Sequence, residues 1–154
     1  MAVAKDMRLR RWVSYAACTW AVLFAAPHVW WALGIPAGFP GGEASYHRFM
    51  GSTWRYVYDL VVVALGGVGV VVALTLRAPG GAGRWRGARG AAVAASVALT
   101  LRGVAGAIVD GASDPVWWPT FLLGGILYGS LAWLARAPRS NVTARVPSAT
   151  REIR

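Results

Sequence analysis

The chain of 154 residues is long enough for one domain and too short for two. It is 56% hydrophobic and only 14% charged, whereas a soluble domain is about 25% charged, so the composition argues against an ordinary soluble protein. The formal net charge of +10 comes with no nucleic-acid recognition motif, and we expect no nucleic-acid partner. The single cysteine, Cys18, excludes an internal disulfide and a thiolate metal cage, and no cofactor is expected.

The first apolar run follows a basic lead-in, residues 1–11. Between Trp12 and Leu33 there is no Asp, Glu, Lys or Arg. This run exceeds the about 7–15 residues of a signal-peptide core and ends in aromatic residues, so we predict a retained transmembrane helix over residues 12–34.

Three further apolar runs predict spans at about 56–76, 91–109 and 116–134. Residues 35–53 are rich in Gly and Pro and predict a loop, with a short interfacial helix over 44–53. Residues 77–90 predict a second, basic loop. The membrane domain would thus cover residues 12–135, followed by a basic, disordered tail over 136–154.

The distribution of basic residues indicates the membrane topology of these spans. All Lys and Arg residues except Arg48, Arg55 and Arg102 lie in the lead-in, the second loop or the tail. By the positive-inside rule, these segments are cytoplasmic. We therefore predict an all-α fold, a bundle of four antiparallel transmembrane helices with both termini inside, in a bacterial cytoplasmic membrane.

An aromatic stripe marks the first predicted span. Trp20, Phe24, His28 and Trp31 share one helix face by their i, i+4 and i+3 spacing. One interpretation is that the stripe packs in the interior and that His28 bonds backbone groups freed by Pro27. The other is that His28 belongs to a functional site, because ionisable groups inside membranes often do.

Two more ionisable residues lie within predicted spans. Asp59 shares a face with the small residues Gly66, Gly69 and Ala73, which predicts that its carboxylate points into the bundle. Arg102 interrupts the third span and shares a face with Gly106 and Asp110. An unpaired cation facing lipid would cost from about 2.5 to over 10 kcal/mol, so we expect Arg102 to face the bundle.

Together these residues predict a pocket in the outer half of the bundle. We expect an ion pair between Arg102 and Asp59 with His28 nearby, and Asp110 and Trp31 at the same level. A purely structural ion pair that locks the helices explains the same pattern. The Gly125–Gly129 spacing of the fourth span predicts a close-packed face, within the bundle or in a homodimer.

Three classes of function fit this pattern. The first is a membrane protein that binds a lipid-like or hydrophobic molecule in the pocket. The second is a membrane-embedded enzyme that acts on a lipid or terpenoid, with His28 or Asp59 as general acid or base. The third is a proton-coupled carrier. Small four-helix multidrug carriers have an acidic residue in the first helix, and this first span has none.

A resemblance to a protein family rests on three segments, residues 15–34, 101–103 and 117–125. They resemble an uncharacterised family of small bacterial four-helix integral membrane proteins, a domain of unknown function whose first helix ends in His, any residue, Tyr or Trp, then Trp-Ala-Leu-Gly. The likeness spans most of residues 12–134. The resemblance implies the four-helix membrane fold and implies no mechanism.

Overall fold

The computed structural model describes residues 2–77, 82–109 and 116–136, and every regular element in these ranges is an α-helix. The predicted all-α class is confirmed. The five helices are α1 (Ala2–Ala32), α2 (Gly42–Met50), α3 (Thr53–Arg77), α4 (Ala82–Val109) and α5 (Trp117–Leu134).

The helices extend further than the apolar runs alone indicated. α1 continues through most of the basic lead-in. α4 begins at Ala82, so the prediction that residues 77–90 form a loop is wrong for residues 82–90. The hydropathy pattern reports only the hydrocarbon-length portion of a helix, and the Ala and Arg residues of this segment, though not its three glycines, favour helix. The predicted interfacial helix is present as α2, displaced by a few residues towards the N-terminus.

The most extensive helix–helix contacts are between α4 and α5 and between α1 and α3. Residues early in α1 contact residues late in α3, and the reverse. The Ser14 hydroxyl donates to the Ala73 carbonyl at 2.6 Å, whereas His28 contacts Asp59 at 2.7 Å. The two helices therefore run in opposite directions. α1 also packs on α5, and α3 on α4, but both contacts are less extensive.

Small residues fill the interior of this helical assembly. The largest buried cluster contains mainly alanines, with Leu76, Tyr128 and Leu131 as its large members. Large apolar side chains point outward instead, for example Leu23, Leu65, Ile108 and Ile126. This arrangement is the reverse of a soluble core, where large apolar residues are most often inside.

Two helices, α3 and the 85–109 portion of α4, are long and apolar enough to cross a membrane. Only 22% and 17% of their most apolar windows are buried in the assembly, so they differ from the mostly buried core helix of a soluble protein. Within the described residues, α1 and α5 are not among the helices that meet this combined criterion of length and hydropathy.

Candidate functional site

A buried histidine–aspartate pair joins α1 to α3. The Nδ1 atom of His28 lies 2.7 Å from Oδ1 of Asp59, and the two residues are 6% and 1% exposed. In a pair of ionised carboxylate and neutral imidazole, Nδ1–H is the donor and Nε2 carries a lone pair. Nε2 of His28 and Oδ2 of Asp59 are both buried and have no hydrogen-bond partner among the described residues.

Four aromatic rings surround His28. The ring centroids of Phe24, Trp31, Tyr58 and Trp117 lie 5.6, 5.1, 6.3 and 6.4 Å from that of the imidazole. They come from three helices, and their edge-on and tilted arrangements are those that aromatic pairs favour. The predicted stripe on α1 is confirmed, because Trp20 also stacks on Phe24 at 5.1 Å.

α2 covers this end of the assembly. Its buried Tyr46 donates its hydroxyl to the Trp31 carbonyl at 3.0 Å, which satisfies an acceptor at the end of α1. Phe39 fills the space between them, with centroids 5.0 Å from Trp31 and 5.5 Å from Tyr46. Trp31 thus contacts His28 as well as Phe39, and links α2 to the histidine.

The structure assigns Asp59 a different partner from the predicted one. Asp59 points into the interior as expected, but it bonds His28 and makes no ion pair with Arg102 among the residues described. Arg102 is exposed, with Cζ 5.0 Å from the Phe121 centroid. The prediction of an Arg102–Asp59 ion pair is therefore wrong. His28 lies on the face of α1 that packs on α3, whereas Arg102 lies on α4, which contacts α3 much less.

A cavity of about 510 Å³ lies between the helices next to this pair. Its lining is largely apolar, and Arg102 is the one charged residue that the described ranges contribute to it. Phe24 and Tyr58, which contact His28, form part of the wall, while His28 itself does not line the cavity. The volume falls within the range of pockets that hold one small molecule.

Tyr128 of α5 lies at the opposite side of the same cavity. Its hydroxyl is buried without a hydrogen-bond partner and packs against Gly69 of α3, where an added Cβ would overlap it. Gly69 therefore performs the close-packing role predicted for the small-residue face of α3.

The remaining predicted residues have mixed outcomes. Trp31 is 4% exposed and contacts His28. Asp110 lies outside the described residues. Gly125 and Gly129 pack against Ser96 and Thr100 of α4 in the same chain, so this close-packed face is used within the monomer. A homodimer through small-residue faces stays a prediction.

Sequence reasoning missed Tyr58, Phe121 and Tyr128 as site residues. Phe121 could have been found, since it lies one helical turn from Trp117 and shares its face. Tyr58 could not, because a residue next to Asp59 in a helix points in a different direction. Tyr128 had no such signal, because its place depends on how α5 packs on Gly69.

The chemistry that this arrangement supports is limited by access. No group of three or more His, Cys, Asp or Glu residues that could hold a metal is present in the described ranges. The carboxylate–imidazole bond has the geometry that orients a general base. Since Nε2 is buried behind Phe24 and Tyr58, a molecule in the cavity meets aromatic faces and the Arg102 guanidinium first.

Comparison of the chain with protein-family models, with curated proteins and with solved structures finds no match. The functional interpretation therefore depends on the geometry of the site itself.

Proposed function

We propose that this chain is a multi-pass membrane protein that binds a hydrophobic, lipid-like molecule in the cavity between its helices. α1, α3, α4 and α5 would be four antiparallel spans, with both termini in the cytoplasm of a bacterium. The same proposal accommodates the resemblance to the small four-helix membrane family. It is supported by the outward-facing large apolar residues and by the small-residue interior.

Contacts among basic and aromatic residues support the orientation. The Arg77 guanidinium donates to the Tyr15 hydroxyl at 2.6 Å, and Arg10 lies 4.8 Å from the Trp85 ring centroid. Residues from the start of α1, the end of α3 and the start of α4 thus meet at one end. The positive-inside rule assigns this end to the cytoplasm, and aromatic residues at such an end fit a membrane interface.

The observation that carries the proposed binding function is the lateral opening of the cavity. The lining includes Val61, Leu65 and Val68 of α3 and Ala98 of α4, all of which are exposed on the outer surface. In a bilayer, the gap between α3 and α4 would open to the hydrocarbon. A lipid-like molecule could then enter from the membrane without crossing water.

The test is lipid binding by protein reconstituted in nanodiscs of phosphatidylcholine, measured with radiolabelled oleic acid and oleyl alcohol. Ala98→Phe should fill the cavity and reduce binding of both probes. Val97→Phe is the matched control, because Val97 is exposed on the same helix and does not line the cavity. Equal binding by the two variants, or no saturable binding by the wild type, would refute the proposed function.

A second candidate is acid–base catalysis at His28 on a bound lipid or terpenoid. The specific observation is the Asp59 hydrogen bond to Nδ1, which leaves Nε2 free to accept a proton. The cavity wall would have to open between Phe24 and Tyr58 for a substrate to reach it. Mass spectrometry of lipids from membranes that express the wild type or His28→Gln would detect a product that only the wild type forms.

A proton-coupled carrier remains the third candidate, with the same pair as the proton site. Uptake of a hydrophobic amine into vesicles that follows an imposed pH gradient, and that His28→Gln abolishes, would favour it.

A further inference from the structure

We propose that Arg102 binds the negatively charged headgroup of the molecule whose hydrocarbon chain occupies the cavity. This inference rests on the proposed binding function and specifies the class of ligand: an anionic amphiphile with a carboxylate or phosphate head. The source of the head would be either a free fatty acid or an anionic membrane phospholipid.

Arg102 is suited to this role by its position. Among the described residues of the lining it is the one that carries a charge, and the others are aliphatic, aromatic or small. The residue as a whole is also exposed, which places it at the edge of the cavity and not in a closed interior. A ligand bound with its chain inside would bring its head to this edge.

The guanidinium lacks a protein counter-ion in the described part of the chain. Its Cζ lies 5.0 Å from the Phe121 centroid, and no carboxylate or hydrogen-bond acceptor contacts it there. Asp59 is bonded to His28, and Glu43 lies 3.5 Å from His47 on the exposed surface of α2. Asp6, the third acidic residue in the described ranges, lies near the start of α1, and none of the three forms an ion pair with Arg102.

The depth of Arg102 makes this lack of a partner significant. It precedes the end of α4, at Val109, by seven residues, which corresponds to about 10 Å along the helix axis. A cation at such a depth requires a counter-charge or a path to the interface. The head of an anionic lipid provides both charge and acceptor oxygens for the forked guanidinium donors.

Phe121 restricts the guanidinium without neutralising it. A cation over an aromatic face is held in place, and its N–H donors at the edge stay available for an anion. The ligand class follows from this combination of an apolar cavity and one oriented cation at its rim.

The experiment compares oleic acid with oleyl alcohol, which have the same chain and differ in charge. Both are measured as radiolabelled probes on the full chain in phosphatidylcholine nanodiscs, at a pH where oleic acid is ionised. Arg102→Leu should weaken oleate binding by about 10- to 100-fold and leave oleyl alcohol unchanged. Arg102→Lys should bind oleate more tightly than Arg102→Leu but less tightly than the wild type, since lysine keeps the positive charge and lacks the paired N–H donors of the guanidinium.

Arg55→Leu is the matched control. Arg55 also lies 5.0 Å from an aromatic centroid, that of Phe49, but it is outside the cavity lining. If Arg55→Leu weakened oleate binding as much as Arg102→Leu, the effect would be general electrostatics, and the inference would be overturned. It would also be overturned if the wild type and Arg102→Leu bound oleate with equal affinity.

These outcomes are separable from failure of the proposed function. If Ala98→Phe reduces the binding of both probes while Arg102→Leu changes neither, the cavity binds lipid but Arg102 does not bind the head. Nanodiscs with phosphatidylglycerol distinguish the two sources of anion. Competition that depends on Arg102 identifies the phospholipid head, and its absence identifies the free acid.

Discussion

The indole ring of Trp20 on α1 lies directly against the backbone of Gly124 on α5. A Cβ added at Gly124 would overlap three atoms of the ring, and the indole Nε1–H donates to the Thr120 carbonyl at 3.0 Å. Trp20 also stacks on Phe24 and lines the cavity. The glycine therefore fixes the distance between α1 and α5 and, through Trp20, the shape of the cavity wall.

Gly124→Ala should reduce the free energy of unfolding by about 1–3 kcal/mol, because an extra methyl group in a close-packed contact forces the helices apart. Gly67→Ala is the control: Gly67 also lies within a helix, but open space surrounds its missing Cβ. It should be neutral or stabilising by up to about 1 kcal/mol, from helix propensity alone. Thermal unfolding in detergent measures both, and equal losses would contradict the proposed contact.

Two tyrosines should respond in opposite directions to the same chemical change. The Tyr46 hydroxyl donates to the Trp31 carbonyl, so Tyr46→Phe should destabilise the protein by about 1 kcal/mol. The Tyr128 hydroxyl is buried without a partner, so Tyr128→Phe should be neutral or stabilising. Thermal unfolding of both variants in one detergent tests the difference. A loss at Tyr128→Phe equal to that at Tyr46→Phe would show that Tyr128 has a partner.

The His28–Asp59 pair should show strong coupling in a double-mutant cycle. His28→Leu or Asp59→Leu leaves one buried polar group without its partner, which costs about 3–5 kcal/mol for a charged group. The double variant removes both groups, so its loss should be smaller than the sum by about 0.5–3 kcal/mol.

Arg102→Leu and Asp59→Leu provide the comparison cycle. Because these residues have no mutual contact, their effects on the free energy of unfolding should add within about 0.5 kcal/mol. Marked coupling between Arg102 and Asp59, with none between His28 and Asp59, would instead support the Arg102–Asp59 ion pair expected from the sequence.

The proposed topology predicts which side of the membrane each end of the helices occupies. In a Cys18→Ser background, Ala44→Cys on exposed α2 should react with an impermeant maleimide in intact cells. Gly87→Cys, where nothing crowds the missing side chain, should react only after the membrane is permeabilised. Labelling of Gly87→Cys in intact cells would reverse the orientation and remove the basis for an outward-facing site.

Much of the site's composition could be predicted from sequence. The i, i+3 and i+4 spacing was sufficient to place Trp20, Phe24, His28 and Trp31 on one face and Asp59 on the small-residue face of its helix, because helical periodicity is a local property. The partner of Asp59 was not predictable in this way. Both Arg102 and His28 were at a suitable depth, and only the packing of α1 on α3 selects between them.

By itself, the sequence determined the all-α class, the approximate positions of the long helices and the faces that carry aromatic, ionic and small residues. These properties follow from hydropathy and from a fixed number of residues per turn. Only the tertiary structure decided that His28 bonds Asp59, that Arg102 borders a cavity and does not pair with Asp59, and that Tyr128 contacts Gly69. Such contacts join residues far apart in the chain, and they depend on which helices become neighbours and how closely their small residues allow them to approach.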